Sequence, residues 1–115
     1  MYETYKIQNK CNQFTDTGLT CTLNNGQSIT IPKSIRETVP LMPGDEVTVG
    51  LTNSLQELII RKYNRASLDN KMIISERGGI WIPKELRKSL CLRKGDMFQV
   101  YVSNSTQLIK LTKVI

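Results

Sequence analysis

The sequence predicts a mainly β fold with short helices, in which two tandem copies of one unit share a single core. The first observation is a repeat: Ile29-Thr30-Ile31-Pro32-Lys33-Ser34-Ile35-Arg36 returns as Ile80-Trp81-Ile82-Pro83-Lys84-Glu85-Leu86-Arg87, 51 positions later. Residues 29–61 laid on 80–112 without a gap share twelve identities. Unrelated segments would share about two, so the chain is internally duplicated. Second, apolar and polar residues alternate after each motif, the period of a half-buried strand. Third, 115 residues suit one modest domain, whereas a single copy of roughly 40 is too small for a core of its own.

Each copy reads as strand, turn, strand, short helix, turn, strand, turn, strand. The first strands are Cys21 to Leu23 and Met72 to Ser75, with turns at Asn24 to Gln27 and Glu76 to Gly79. The apolar runs Ile29 to Ile31 and Ile80 to Ile82 stop at Pro32 and Pro83. Proline suits a first helical position, where its missing N–H would have no partner. Ile35 with Val39, and Leu86 with Leu90, form one apolar stripe per helix, which turns Lys33 and Arg36, or Lys84, Arg87 and Lys88, outward. Pro40 ends the first helix after about two turns, and Gly44-Asp45 and Gly95-Asp96 turn the chain into the next strand. There Val47, Val49 and Leu51, or Phe98, Val100 and Val102, face inward. Asn53-Ser54 and Asn104-Ser105 read as hairpin turns, and Leu58 and Ile60, or Ile109 and Leu111, return on the inner face. The expected organisation is an extension of unknown role over 1–20, a first copy over 21–61, a polar linker over 62–71 and a second copy over 72–115. Tyr2, Tyr5 and Ile7 could begin an extra strand or an arm.

The net charge of +6 divides unevenly. Residues 1–61 hold five basic and six acidic side chains, a net of −1, whereas residues 62–115 hold eleven and four, a net of +7. Such asymmetry points to a polyanionic partner engaged mainly through the second copy. Hydrophobic content is 39%, and no apolar run approaches the ~18 residues of a membrane helix. Met1-Tyr2-Glu3-Thr4-Tyr5-Lys6 has no apolar signal core, so a cytoplasmic, nucleoid-associated protein without membrane contact is expected. Cys11, Cys21 and Cys91 lack metal spacing and there is no histidine, so no metal or cofactor is expected and the thiols read as buried or incidental.

The order of strand, helix and hairpin around Ile-Pro-Lys-x-x-Arg, with Gly-Asp downstream, resembles the AbrB-like swapped-hairpin domain of AbrB and SpoVT type regulators and MazE type antitoxins. The resemblance spans about 21–61 and 72–112. It implies a swapped-hairpin β-barrel, formed in that family by two chains and here by two copies as an intrachain pseudo-dimer, alone or in higher homo-oligomers. It also implies binding of double-stranded DNA through basic residues on one barrel face. The family's helix arginine matches Arg36 and Arg87; its basic neighbour is matched only by Lys88, since the first copy has Glu37. The Gly-Arg or Gly-Gln of many members is displaced here. Gly26-Gln27 lies one residue farther from its proline, and the second copy has Gly78-Gly79 after Arg77. Either Arg77 reaches in from a shifted turn, or that base contact has been lost.

The candidate DNA-binding residues are therefore Lys33, Arg36, Arg77, Lys84, Arg87 and Lys88. Guanidinium groups bind phosphates and guanine edges bidentately, and lysines supply point charge. Trp81, where the first copy has Thr30, covers a core edge or interface, or stacks on sugar or base. Asp45 and Asp96 belong to repeated turns and are better explained by turn geometry than by acid–base chemistry. Without histidine, a glycine-rich phosphate cradle or a metal motif, an enzyme is not expected. The leading reading is a sequence-specific transcriptional regulator whose second copy dominates binding. The alternative is a protein-binding module, such as an antitoxin or inhibitor, that uses residues 1–20 as a docking arm. The chain stops at Lys113-Val114-Ile115, short of the acidic tail with which MazE type antitoxins hold their toxins.

Overall fold

A computed structural model of the chain describes residues 14–52, 57–63, 70–103 and 105–114. Its elements are β1 (Thr15–Thr22), β2 (Ser28–Thr30), α1 (Lys33–Thr38), β3 (Glu46–Leu51), β4 (Glu57–Lys62), β5 (Asn70–Ile73), β6 (Gly79–Trp81), α2 (Lys84–Ser89), β7 (Met97–Ser103) and β8 (Leu108–Lys113). Among the described residues the fold is mainly β with two short helices. Tyr2, Tyr5, Ile7 and Cys11, the first hairpin turn at Asn53-Ser54, Asn104 and most of the linker lie outside the described residues.

The strands form a six-stranded antiparallel sheet, ordered β1-β7-β8-β4-β3-β5, and a two-stranded ribbon of β2 with β6. Among the described residues, the hairpins β3–β4 and β7–β8 are the ladders that pair strands of the same copy. The β1–β7, β2–β6, β3–β5 and β4–β8 ladders all join one copy to the other. Each first strand thus lies against the hairpin of the opposite copy. Ile29 pairs with Ile80, and Ile59 with Lys110; in both pairs the partners are equivalent residues of the two copies. A pseudo-two-fold axis passes through these two pairs.

The ladders do not close into the expected barrel. Among the described residues β1 and β5 are the edges, because β2 and β6 are only three residues long and pair with each other. Among the described residues, the ladder pairing between the segment after β1 and the ribbon is the isolated bridge Leu23↔Ile29. The core is nevertheless continuous and contains the inward residues of both copies, among them Leu23, Ile29, Ile31, Leu58, Ile60, Ile74, Ile80, Ile82, Phe98, Ile109 and Leu111. Ile35 and Val39 of the first copy, and Leu86 and Leu90 of the second, anchor the helices to it.

Two boundaries differ from expectation. β1 starts at Thr15, six residues early, so the extension contributes a strand segment. Thr15 and Asp16 pair with Val102 and Tyr101, and a bulge before Thr20 places Gly18 at φ 75°. Pro32 and Pro83 sit in extended geometry as helix caps, one residue outside the helices they were expected to begin. Among the described residues, no helix is long and apolar enough to cross a membrane.

Candidate nucleic-acid interface

Period-two alternation in the ribbon turns Ile29 and Ile80 into the core and leaves Thr30 and Trp81 exposed on its outer side. The chain leaves each end of the ribbon through proline into a short helix. Backbone bonds cross between the copies on both sides of the axis. Ile31 N–H donates to the Gly78 carbonyl at 2.9 Å, and Ile82 N–H donates to the Gln27 carbonyl at 2.9 Å. Each turn thus holds the strand that feeds the other copy's helix.

Arg36 and Arg87 are fixed to this frame. Arg36 Nε donates to the Ile31 carbonyl and Arg87 Nε to the Ile82 carbonyl, each at 3.0 Å. Both side chains are half-buried, not freely solvated as their helix positions implied. An Nε bond on the backbone fixes the guanidinium plane while leaving its terminal nitrogens to bind elsewhere. The Arg36 guanidinium lies on Gly78, so close that a Cβ there would overlap it. The Arg87 guanidinium lies over the Trp81 ring, 5.8 Å from its centroid.

Strand exchange also regroups the candidate cations. Arg77 precedes Gly78, so the second copy's turn carries it to the helix of the first copy. An exposed arginine of the opposite copy therefore stands one residue from the Arg36 contact. On the other side, α2 brings Lys84, Arg87 and Lys88 to a shallow groove also bordered by Cys91, Leu92 and Arg93. The equivalent groove of the first copy is lined by Lys33 and Arg36 but also by Glu37. The skew seen in the charge halves therefore persists locally, although Arg77 reduces it.

The sheet lysines are committed elsewhere. Lys62 pairs with Asp45 and Lys113 with Asp96, the same bridge in each copy; Lys71 pairs with Glu46 and Lys110 with Glu57. Among the described residues, none of Lys33, Arg36, Arg77, Lys84, Arg87 and Lys88 makes an ion pair. Arg61 on β4, and Arg93 and Lys94 before β7, are likewise without an ion pair among the described residues, but the six candidates cluster on the helices and the turn beside the ribbon.

No family model matches the chain, and no curated protein matches it. It is similar to the solution structure of PHS018 from Pyrococcus horikoshii, with 19% identity and a TM-score of 0.48, over 84% of this chain and 86% of that one.

Asp45 and Asp96 are turn residues, as expected. Their Oδ2 atoms accept from the Met42 and Arg93 N–H groups, each at 2.8 Å. The Arg93 bond, assisted by Lys113, holds the Asp96 carboxyl below its ordinary range. Trp81 is 46% exposed and does not seal the core edge. The cross-copy ribbon, the Gly78 seat and the Trp81–Arg87 contact were not apparent from spacing. The doubled glycine at 78–79 was the one local signal that something passes close to the backbone.

Proposed function

We propose that this protein is a single-chain, tandem counterpart of the AbrB-like swapped-hairpin regulators and binds double-stranded DNA with the β2–β6 ribbon and the cations beside it. The observation that carries the reading is a cluster of unpaired charge: the sheet lysines are paired with acids, while six cations without an ion pair stand on the helices and the turn flanking one ribbon. A two-stranded ribbon fits the major groove, and backbone-anchored arginines lose less freedom on binding phosphate or guanine. The exchanged first strands support the pseudo-dimer part of the proposal, because they make the copies mutually dependent.

Selection of duplexes from a random pool at two salt concentrations tests it. With four to six phosphates neutralised, affinity falls with salt at a log–log slope of roughly −4 to −5. The selected sites are near-palindromes with one stronger half, because a pseudo-dyad presents similar but unequal half-sites. Reversing the charges of Arg87 and Lys88 weakens binding more than reversing those of Lys33 and Arg36. Equal losses refute the skew, and a flat salt response refutes the interface.

A further inference from the structure

Trp81 is the chain's single tryptophan, and it stands 46% exposed on the outer side of the ribbon. Its ladder partner is the small Ser28, and its equivalent in the first copy is Thr30, so the pseudo-dimer carries one aromatic platform and not two. The guanidinium over its ring belongs to Arg87, which is itself tied to the Ile82 carbonyl. The platform therefore adjoins a cation whose orientation is set by the backbone. Lone exposed apolar residues are ordinary on protein surfaces, and exposure by itself would say little. What distinguishes Trp81 is that its anchored cation stands beside Lys84 and Lys88 on α2, where a phosphate chain would be held against it.

Resting on the DNA reading above, we infer that Trp81 and Arg87 form a stacking site for a base face exposed where the duplex stack opens, so that the second half-site prefers deformed DNA. In a regular duplex each base face is covered by its neighbours, and an indole gains little. At a flexible pyrimidine–purine step, or beside an unpaired base, a face is available and the cost of exposing it is small. Arg87 contributes charge to the phosphate beside that base and planar contact to the ring. Thr30 gives the first copy no such site.

Emission from the lone tryptophan reports this site directly. The full chain is titrated with a fully paired DNA duplex, with the same duplex carrying one bulged base, and with heparin, a polyanion without bases. Both duplexes bind, the bulged one about tenfold more tightly, and it quenches Trp81 emission. Heparin competes with both duplexes but leaves the emission nearly unchanged. Trp81→Ala abolishes the tenfold preference, read as the ratio of its affinities for the bulged and the paired duplex, and Trp81→Phe restores part of that ratio. Far-UV circular dichroism confirms that both variants fold; a variant that does not is replaced in the comparison by Trp81→Tyr. Equal affinity for the two duplexes, a preference that survives Trp81→Ala, or equal quenching by heparin each overturns the inference and leaves the DNA reading standing. Failure of duplexes and heparin alike to bind at low salt overturns the DNA reading, and the stacking site with it.

Discussion

Gly78 has no side chain because Arg36 occupies the space where one would lie. Its φ of +82° already disfavours an L-residue, and an added Cβ would sit against the Arg36 Nε and Cζ atoms. Gly78→Ala is therefore expected to lose about 1–2 kcal/mol from the left-handed backbone alone. It should also displace the Arg36 guanidinium and weaken DNA binding to the same degree as Arg36→Ala. Urea denaturation and fluorescence anisotropy measure the two effects separately. Gln27, at the equivalent position, adopts φ +62° with a side chain, so the turn itself tolerates strain and the steric demand belongs to Arg36. A second residue-scale prediction concerns Cys21, which is buried while Cys91 is exposed. Burial pushes the Cys21 thiol from 9.0 up to about 12. Between those values the unfolded chain loses a proton that the folded chain keeps. The associated stability is complete below pH 9.0 and is lost as pH rises toward about 12. The denaturation midpoint should fall more steeply between pH 9 and 11 in the wild type than in Cys21→Ala.

At the scale of elements, the ribbon joins fold to candidate site. A helix of six residues does not persist alone in water, so α1 and α2 depend on Ile35 and Leu86 packing into the shared core. Ile29 and Ile80 face each other across the axis with no solvent exposure. Truncating either to alanine should cost about 2–5 kcal/mol, a large share of the roughly 5–15 typical of a whole domain. The double variant should depart from additivity because the two side chains share one cavity, which a denaturation cycle of the four proteins checks. Most elements were legible from periodicity: Val47 and Val49, Phe98 and Val100, Leu58 and Ile60, and Ile109 and Leu111 are all buried. The early part of β1 was not. Thr15, Asp16, Gly18, Leu19 and Thr20 are exposed; Thr15, Asp16 and Thr20 pair with β7, and Thr17 Oγ1 donates to the Val100 carbonyl at 2.7 Å. A polar edge segment shows no apolar alternation to read.

For the molecule as a whole, four of the six ladders among the described residues cross between the copies. Either half expressed alone keeps one hairpin and loses the strand that covers it. Residues 1–63 and 64–115 are each expected to be unfolded as monomers, and to regain β structure when mixed. Circular dichroism and size-exclusion chromatography of the separate and combined halves test this. Independent folding of either half as a monomer would refute the mutual dependence.

Sequence alone determined the duplication, the order of elements and the inward residues, because a repeat and a hydrophobic period are properties of one dimension. It also identified the six cations by type and position. Tertiary structure alone decided which strands pair across the copies and left the sheet edges unclosed, since the pairing depends on the relative placement of segments distant in the chain. It likewise brought Arg77 to the opposite copy, seated Arg36 on Gly78 and placed Arg87 over Trp81. Those contacts arise where two turns cross a pseudo-dyad, and no spacing within either copy encodes that crossing.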